Sequence, residues 1–299
     1  MRHEELPNQP SNTAPVTSDI TWPDQKQSCL FVSFDFDAET AHFDSDAADS
    51  NQLVQMSHGG FGARVGVPKI LGLLERLEIA ATFFVPGWVV ETYTDLCQDI
   101  LAAGHEIGHH GHYHLKPGVG EGRAIESLER SVLEIDNGFE ALERRLGIKP
   151  VGYRSPWGEN YEQLLQYLSE KGIKYSSSWR DDIMPFRHVL KSGKSGPLEL
   201  APNPSFDDWN HGVTRGSSRN MLTRQQVMSI WQDELDQTHI WGGLTGTIFH
   251  PQVSGRPSRF MILEQFLTYA LTIDDLWIAT GESILNHIEQ TQQVARVDR

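Results

Sequence analysis

The 299-residue chain carries 40 acidic against 25 basic residues, a formal net charge of −15. That excess of negative charge excludes, on electrostatic grounds, a nucleic-acid or anionic-membrane partner. The length suits one large α/β domain or two smaller ones, and no apolar run approaches the roughly 18 residues that span a bilayer.

Residues 1–28 read as a polar, Pro-containing arm without the cationic and apolar regions of a secretory signal, able to lie over a neighbour in a homo-oligomer. Two cysteines, Cys29 and Cys97, are too few for a disulfide framework, so a cytoplasmic protein is expected. "CLFVSFDFDAE" (29–39) starts as a β-prone apolar run, suiting a strand buried on both faces, and then turns abruptly acidic. Strands rarely bury two unpaired carboxylates, so Asp35 and Asp37 suggest a site.

"SHGGFGARVG" reads as a Gly-rich loop, and Pro68 is placed to start a helix with Ile70, Leu71, Leu73, Leu74 and Leu77 on one stripe. "AATFFVPG" predicts a short strand. Tyr93, Leu96, Cys97, Ile100 and Leu101 then recur at helical spacing as far as Gly104, a natural C-cap.

"GHEIGHHGHYH" (104–114) follows, with five histidines and a literal H-E-x-x-H. A zinc-protease reading needs His105, Glu106 and His109 on one helix, but Gly108 and Gly111 each disfavour one by about 1 kcal/mol relative to alanine. Read as a short strand ending in a turn, the segment lets a pair such as His110 and His114 converge on a metal at the strand's C-terminal end, where α/β barrels carry their sites.

Beyond it come a long charged helix to about Leu146, "VGYRSP", a helix near 160–171, "GIKYSSSW", "PLELAP", an irregular loop (202–223), a helix near 224–238, the strand "LTGTIFHPQ", a helix near 258–272, "LWIAT" and a terminal helix. Such alternation without a linker indicates a single α/β domain of barrel type.

"SFDFDAE", "GHEIGHHGHYH", "GYRSPWG", "SSSWRDD" and "GTIFHPQ", in this order, resemble the five motifs of the NodB-like polysaccharide deacetylases, carbohydrate esterase family four, over about residues 29–285. The resemblance implies a distorted (β/α)7 barrel preceded by the arm (1–28) and followed by a tail (286–299). It further implies one divalent ion held by Asp37, His110 and His114, with Asp35 as catalytic base and Arg154 orienting it. His250 is then the general acid, positioned by Asp181 or Asp182. Zinc is the default ion, and the same ligands accept cobalt, nickel, iron or manganese.

Glu39, Arg64, Trp157, Glu159, Trp179, Trp209 and Arg256 are candidate pocket residues. Phe36 separates Asp35 from Asp37, whereas secreted members carry adjacent aspartates. That spacing, with "GARVGV" and "FHPQVSGRPSR", is more similar to an intracellular branch of cell-wall deacetylases, cyclic imide hydrolases and allantoinases. The expected function is metal-dependent hydrolysis of a non-peptide amide, releasing acetate from an N-acetylated sugar. A small cyclic imide or ureide is the alternative substrate, and a non-catalytic metal-binding barrel the reading from another class.

Overall fold

The computed structural model describes residues 20–43, 53–117, 124–212, 221–291 and 296–297. Its strands are β1 (Ser28–Phe31), β2 (Ser33–Asp35), β3 (Thr82–Val85), β4 (Glu106–His109), β5 (Gly152–Tyr153), β6 (Tyr175–Ser176), β7 (Phe186–Val189), β8 (Ser195–Glu199), β9 (Pro202–Asp207), β10 (Leu244–Ile248), β11 (Leu276–Ala279) and β12 (Arg296–Val297).

β2, β3, β4, β5, β6 and β8 pair in that order, all parallel. Only Leu200 and Ala201 separate β8 from β9, which pairs in parallel with β10; β10 then pairs with β1. Since β1 runs into β2 across Val32, and Phe34 bridges to Phe249, the ring closes as a distorted (β/α)7 barrel. The four residues of β1 and those of β3 are all buried, as expected where helices cover one face and the barrel interior the other. Parallel strands put all their C-terminal ends at one mouth, so side chains remote in sequence meet there.

Local sequence explains most helix boundaries. Pro68 lies in the first turn of Val67–Leu77, and Glu78 closes that helix in the left-handed region at φ 55°. Helix Arg224–Ile240 opens on a capping box between Thr223 and Gln226.

Two predicted loops are in fact structured. "SHGGFGARVG" belongs to helix Leu53–Phe61 and the π-turn Gly62–Gly66 that joins it to the next helix. Its glycines serve close approach rather than turning: a Cβ on Gly59 would lie 2.2 Å from the Ala38 carbonyl oxygen, and one on Gly66 2.3 Å from that of Pro251. The segment 202–223 contains β9 and the short helix Asp208–Gly212, while 213–220 lie outside the described residues. A register shift in β9 opposite Gly246 and Ile248 bends the strand so that Asp207 and Asp208 reach the mouth.

The expected domain boundaries fall within packed structure. Trp22 is buried and donates its indole N–H to the Gly242 carbonyl at 2.8 Å, so the arm's last part lies on the barrel; residues 1–19 lie outside the described ones. Helix Gly281–Thr291 runs past residue 285 with Ile288 buried, its apolar stripe packing in one core cluster with Cys29 and Phe31 of β1. Cys29 and Cys97 are buried free thiols.

Candidate metal and catalytic site

The histidine stretch divides by strand geometry. Glu106–His109 is a strand, which removes the helical face an H-E-x-x-H metal site needs. His105 Nδ1 accepts the Ala81 N–H, and His109 bonds the Ile135 carbonyl through Nε2 at 2.9 Å and the Gly111 N–H through Nδ1 at 3.0 Å. His112 is buried beside Gly87. These three are held in the fold, whereas His110 and His114 turn into the mouth.

His110 Nε2 lies 3.4 Å and His114 Nε2 3.6 Å from Asp37 Oδ1. Bonds of about 2.0–2.1 Å to a tetrahedral ion place two ligand atoms about 3.3 Å apart, so these separations suit one such ion. Asp37 Oδ1 and His110 Nε2 are buried without hydrogen-bond partners among the described residues, an arrangement that burial penalises unless a ligand satisfies them. His110 Nδ1 faces the Arg154 carbonyl at 2.7 Å; a proton there leaves Nε2 with the lone pair that a metal needs. Gln252, which sequence reasoning missed, is fully buried and donates from Nε2 to Asp37 Oδ2 at 3.2 Å, leaving Oδ1 for the histidines.

Burial alone would raise the Asp37 carboxyl, but the His114, His110 and His250 rings outweigh it and hold the group below the usual carboxylate range. Burial pushes the His114 ring down to about 4, so it is neutral and able to ligate at neutral pH. His114 itself sits at φ 59°, as does Ala38 at 48°, next to Asp37; left-handed backbone at non-glycine residues concentrates where the surroundings over-determine a site.

Asp35 points into the same space from β2. Its Oδ1 accepts from Arg154 Nη1 at 2.6 Å, and its Oδ2 is 3.8 Å from His110 Nε2. The buried Arg154 is saturated: Nε donates to the Ser177 carbonyl, Nη2 to Ser33 Oγ and Ser177 Oγ, and its guanidinium carbon lies 4.4 Å from the Phe84 ring centre.

Across the mouth His250 presents Nε2 at 4.0 Å from Asp35 Oδ2 and 3.8 Å from Asp37 Oδ2. The carboxylate behind it is Asp208, not Asp181 or Asp182: Nδ1 is 2.7 Å from Asp208 Oδ1, and the His250 backbone N–H donates to Asp208 Oδ2 at 2.9 Å. Asp182 instead accepts the Met184 N–H, and neither it nor Asp181 lines the cavity, because both follow β6 on the far side of the β7–β8 hairpin from β10. Burial would lower His250, but the Asp208 charge and hydrogen bond, with Asp37 and Asp207 adding, raise it to about 10. The sequence signal for Asp208 was "FDDW", hidden inside the segment read as a loop.

A cavity of about 490 Å³ opens over these groups. Trp157 and Trp209 line it as expected. Trp157 donates to the His114 carbonyl, and the Trp209 ring lies 5.3 Å from that of His250.

Five other candidates do not line the cavity. Glu39 accepts from Tyr93 and lies beside Arg64, both next to Gly60. Arg256 stacks on Phe61 at 3.7 Å, Trp179 packs on His188, and Glu159 turns outward to Lys116. Each is drawn off by a nearer packing or charge partner than the substrate space offers.

The polysaccharide deacetylase family model matches residues 60–176. A peptidoglycan deacetylase of Helicobacter pylori is 24% identical over 72% of this chain and 80% of its own length. A peptidoglycan deacetylase-like protein of Gibberella zeae is 30% identical over 76% and 75%. Among solved structures, a Mycobacterium smegmatis protein assigned as a polysaccharide deacetylase superposes with a TM-score of 0.84 at 31% identity, covering 94% of this chain and 96% of its own. An allantoinase shares the fold with a TM-score of 0.78 at 18% identity, over 92% of this chain and 94% of its own. With the fold, the mouth and these relatives in agreement, the chain belongs to the polysaccharide deacetylase family, hydrolases of carbon–nitrogen bonds other than peptide bonds.

Proposed function

We propose that the chain removes the acetyl group from an N-acetylated sugar, using one divalent ion held by Asp37, His110 and His114, with zinc the expected occupant. The observation that carries this reading is the convergence of three unlike devices within about 4 Å: a ligand triad with unsatisfied atoms, an arginine-held carboxylate that is not one of the three, and a carboxylate-held histidine. Pure metal binding needs only the first.

The ion, when bound, lowers the pKa of a water and polarises the acyl oxygen. Asp35, held through Oδ1 by Arg154, takes the proton as the water oxygen bonds the acyl carbon. His250 is held by Asp208 through Nδ1, which leaves Nε2–H facing the cleft to protonate the departing nitrogen as the carbon–nitrogen bond breaks. The products are acetate and a free amine. A cavity of about 490 Å³ is within the range of small-ligand sites and has room for a sugar ring.

The test is a substrate panel on zinc-loaded protein: N-acetylglucosamine oligomers against succinimide, hydantoin and allantoin. Acetate release from the sugars supports the proposal; hydrolysis of the rings alone replaces it with a cyclic amide hydrolase. The cytoplasmic, homo-oligomeric state that goes with this reading is checked by fractionation and light scattering.

A further inference from the structure

Arg180 lines the cavity together with Asp37 and His114, and it makes no hydrogen bond or ion pair with any described residue. Arg180 is exposed, so water solvates it where it stands, and its charge is available to a ligand entering the cavity. Carboxylates near it in the chain or on the same cavity wall have other partners: Glu159 meets Lys116, Asp182 the Met184 N–H, and Asp35 Arg154.

The side chain lies against a left-handed turn. Trp157 and Gly158 are both left-handed, at φ 64° and 71°, and a Cβ on Gly158 would lie 2.3 Å from Arg180 Nη2. The guanidinium lies against this turn, and the positive φ of Gly158 favours glycine there.

The segment delivering it is also fixed from below. The Ser178 and Trp179 N–H groups donate to Oε1 of the fully buried Glu199, at 2.5 and 3.0 Å, while Glu199 Oε2 pairs with His188 Nε2 at 2.8 Å. Nothing in the hydrolytic step uses this buried pair. It anchors the backbone of Ser178 and Trp179, the two residues that lead into Arg180.

We infer that Arg180, laid on the Trp157–Gly158 turn, is a subsite for an anionic group, a carboxylate or phosphate, on the N-acetylated substrate. The inference rests on the deacetylase reading for the sugar but on Arg180 for the charge. Arginine presents parallel N–H donors that match either anion in a bidentate pair, and the exposed Trp157 ring beside it offers a face for the sugar.

The experiment compares zinc-loaded wild type, Arg180→Ala and Arg180→Lys on N-acetylglucosamine, N-acetylmuramic acid and N-acetylglucosamine 1-phosphate, with calorimetric binding of the two acids alongside. The wild type is expected to favour at least one acid over the neutral sugar in kcat/KM. Arg180→Ala should cut that ratio by about 10- to 100-fold, the worth of one hydrogen bond to a charged group, mainly through KM. Arg180→Lys should keep part of it, and the acid preferred tells carboxylate from phosphate. A wild type indifferent to charge, or an Arg180→Ala protein that loses all three substrates equally, overturns the subsite. If no sugar is turned over, the deacetylase reading fails, and calorimetry alone decides the subsite: acid binding that survives Arg180→Ala removes it.

Discussion

At the barrel floor the Glu106 carboxyl is surrounded by donors and faces no cation: Oε1 accepts from Tyr175, and Oε2 from Thr82 and the Glu282 N–H. At the mouth Asp37 has one oxygen held by Gln252 and the other beside two imidazoles with no donor to it among the described residues. The floor therefore ties β3, β4, β6 and the last helix together, and a ligand there has nothing to bind. The mouth leaves polar atoms without a protein partner among the described residues, where a bound ion would satisfy them. Both glutamate and aspartates come from motifs that look chemical in the sequence; saturation separates support from function.

Breaking the mouth should give the largest effects. Removing the ion with a chelator should abolish turnover, and zinc should restore it, while the thermal melt of the stripped protein remains cooperative because the floor and core are untouched. Asp35→Asn should retain about one zinc per chain by metal analysis, since one three-ligand site is intact. It should lower kcat by about 10²–10⁴-fold, the usual contribution of a general base. Asp208→Asn should lower kcat by about 10²-fold with KM little changed, because His250 loses its orienting partner; the corresponding Asp181→Asn and Asp182→Asn proteins should not.

Sharper distinctions come from smaller effects. Gln252→Leu should weaken zinc binding by about 10- to 100-fold in a chelator competition, as removal of a group orienting a ligand does. At the floor, Glu106→Gln should cost about 1–3 kcal/mol in urea melts and leave kcat per folded molecule unchanged.

Glu106 also gives a pH signature. Burial raises its carboxyl above the usual value despite the lowering effect of its hydrogen bonds. The folded state thus holds that proton more tightly than the unfolded one. Its contribution to stability is full below the unfolded pKa and is lost as pH rises through the folded one, so Glu106→Gln should flatten that decline.

Legibility in the sequence followed the range of the interactions. The short strand in "GHEIGHH" was readable because glycines and β-pattern act locally, and so were the charge change in "FDFDAE" and the Pro68 helix start. The Asp208 partner of His250 was not, because a bulge in β9 moves that residue to the mouth, and only pairing with β10 makes the bulge. The helix through "SHGGFGARVG" was likewise invisible: glycine is a poor helix former in isolation, and the contacts of Gly59 with Ala38 and of Gly66 with Pro251 that require it are between segments.

The residue types and their order determined the α/β alternation, the acidic strand end and the histidine-rich turn, since propensity and periodicity are properties of neighbours in the chain. Which carboxylate faces which ring, which of five histidines stay unsatisfied, and that Arg180 stands unpaired at the cavity wall were decided only by closure of the barrel. Closure brings strand ends up to 215 residues apart, as Asp37 and Gln252 are, within hydrogen-bonding distance, and no local preference encodes that choice.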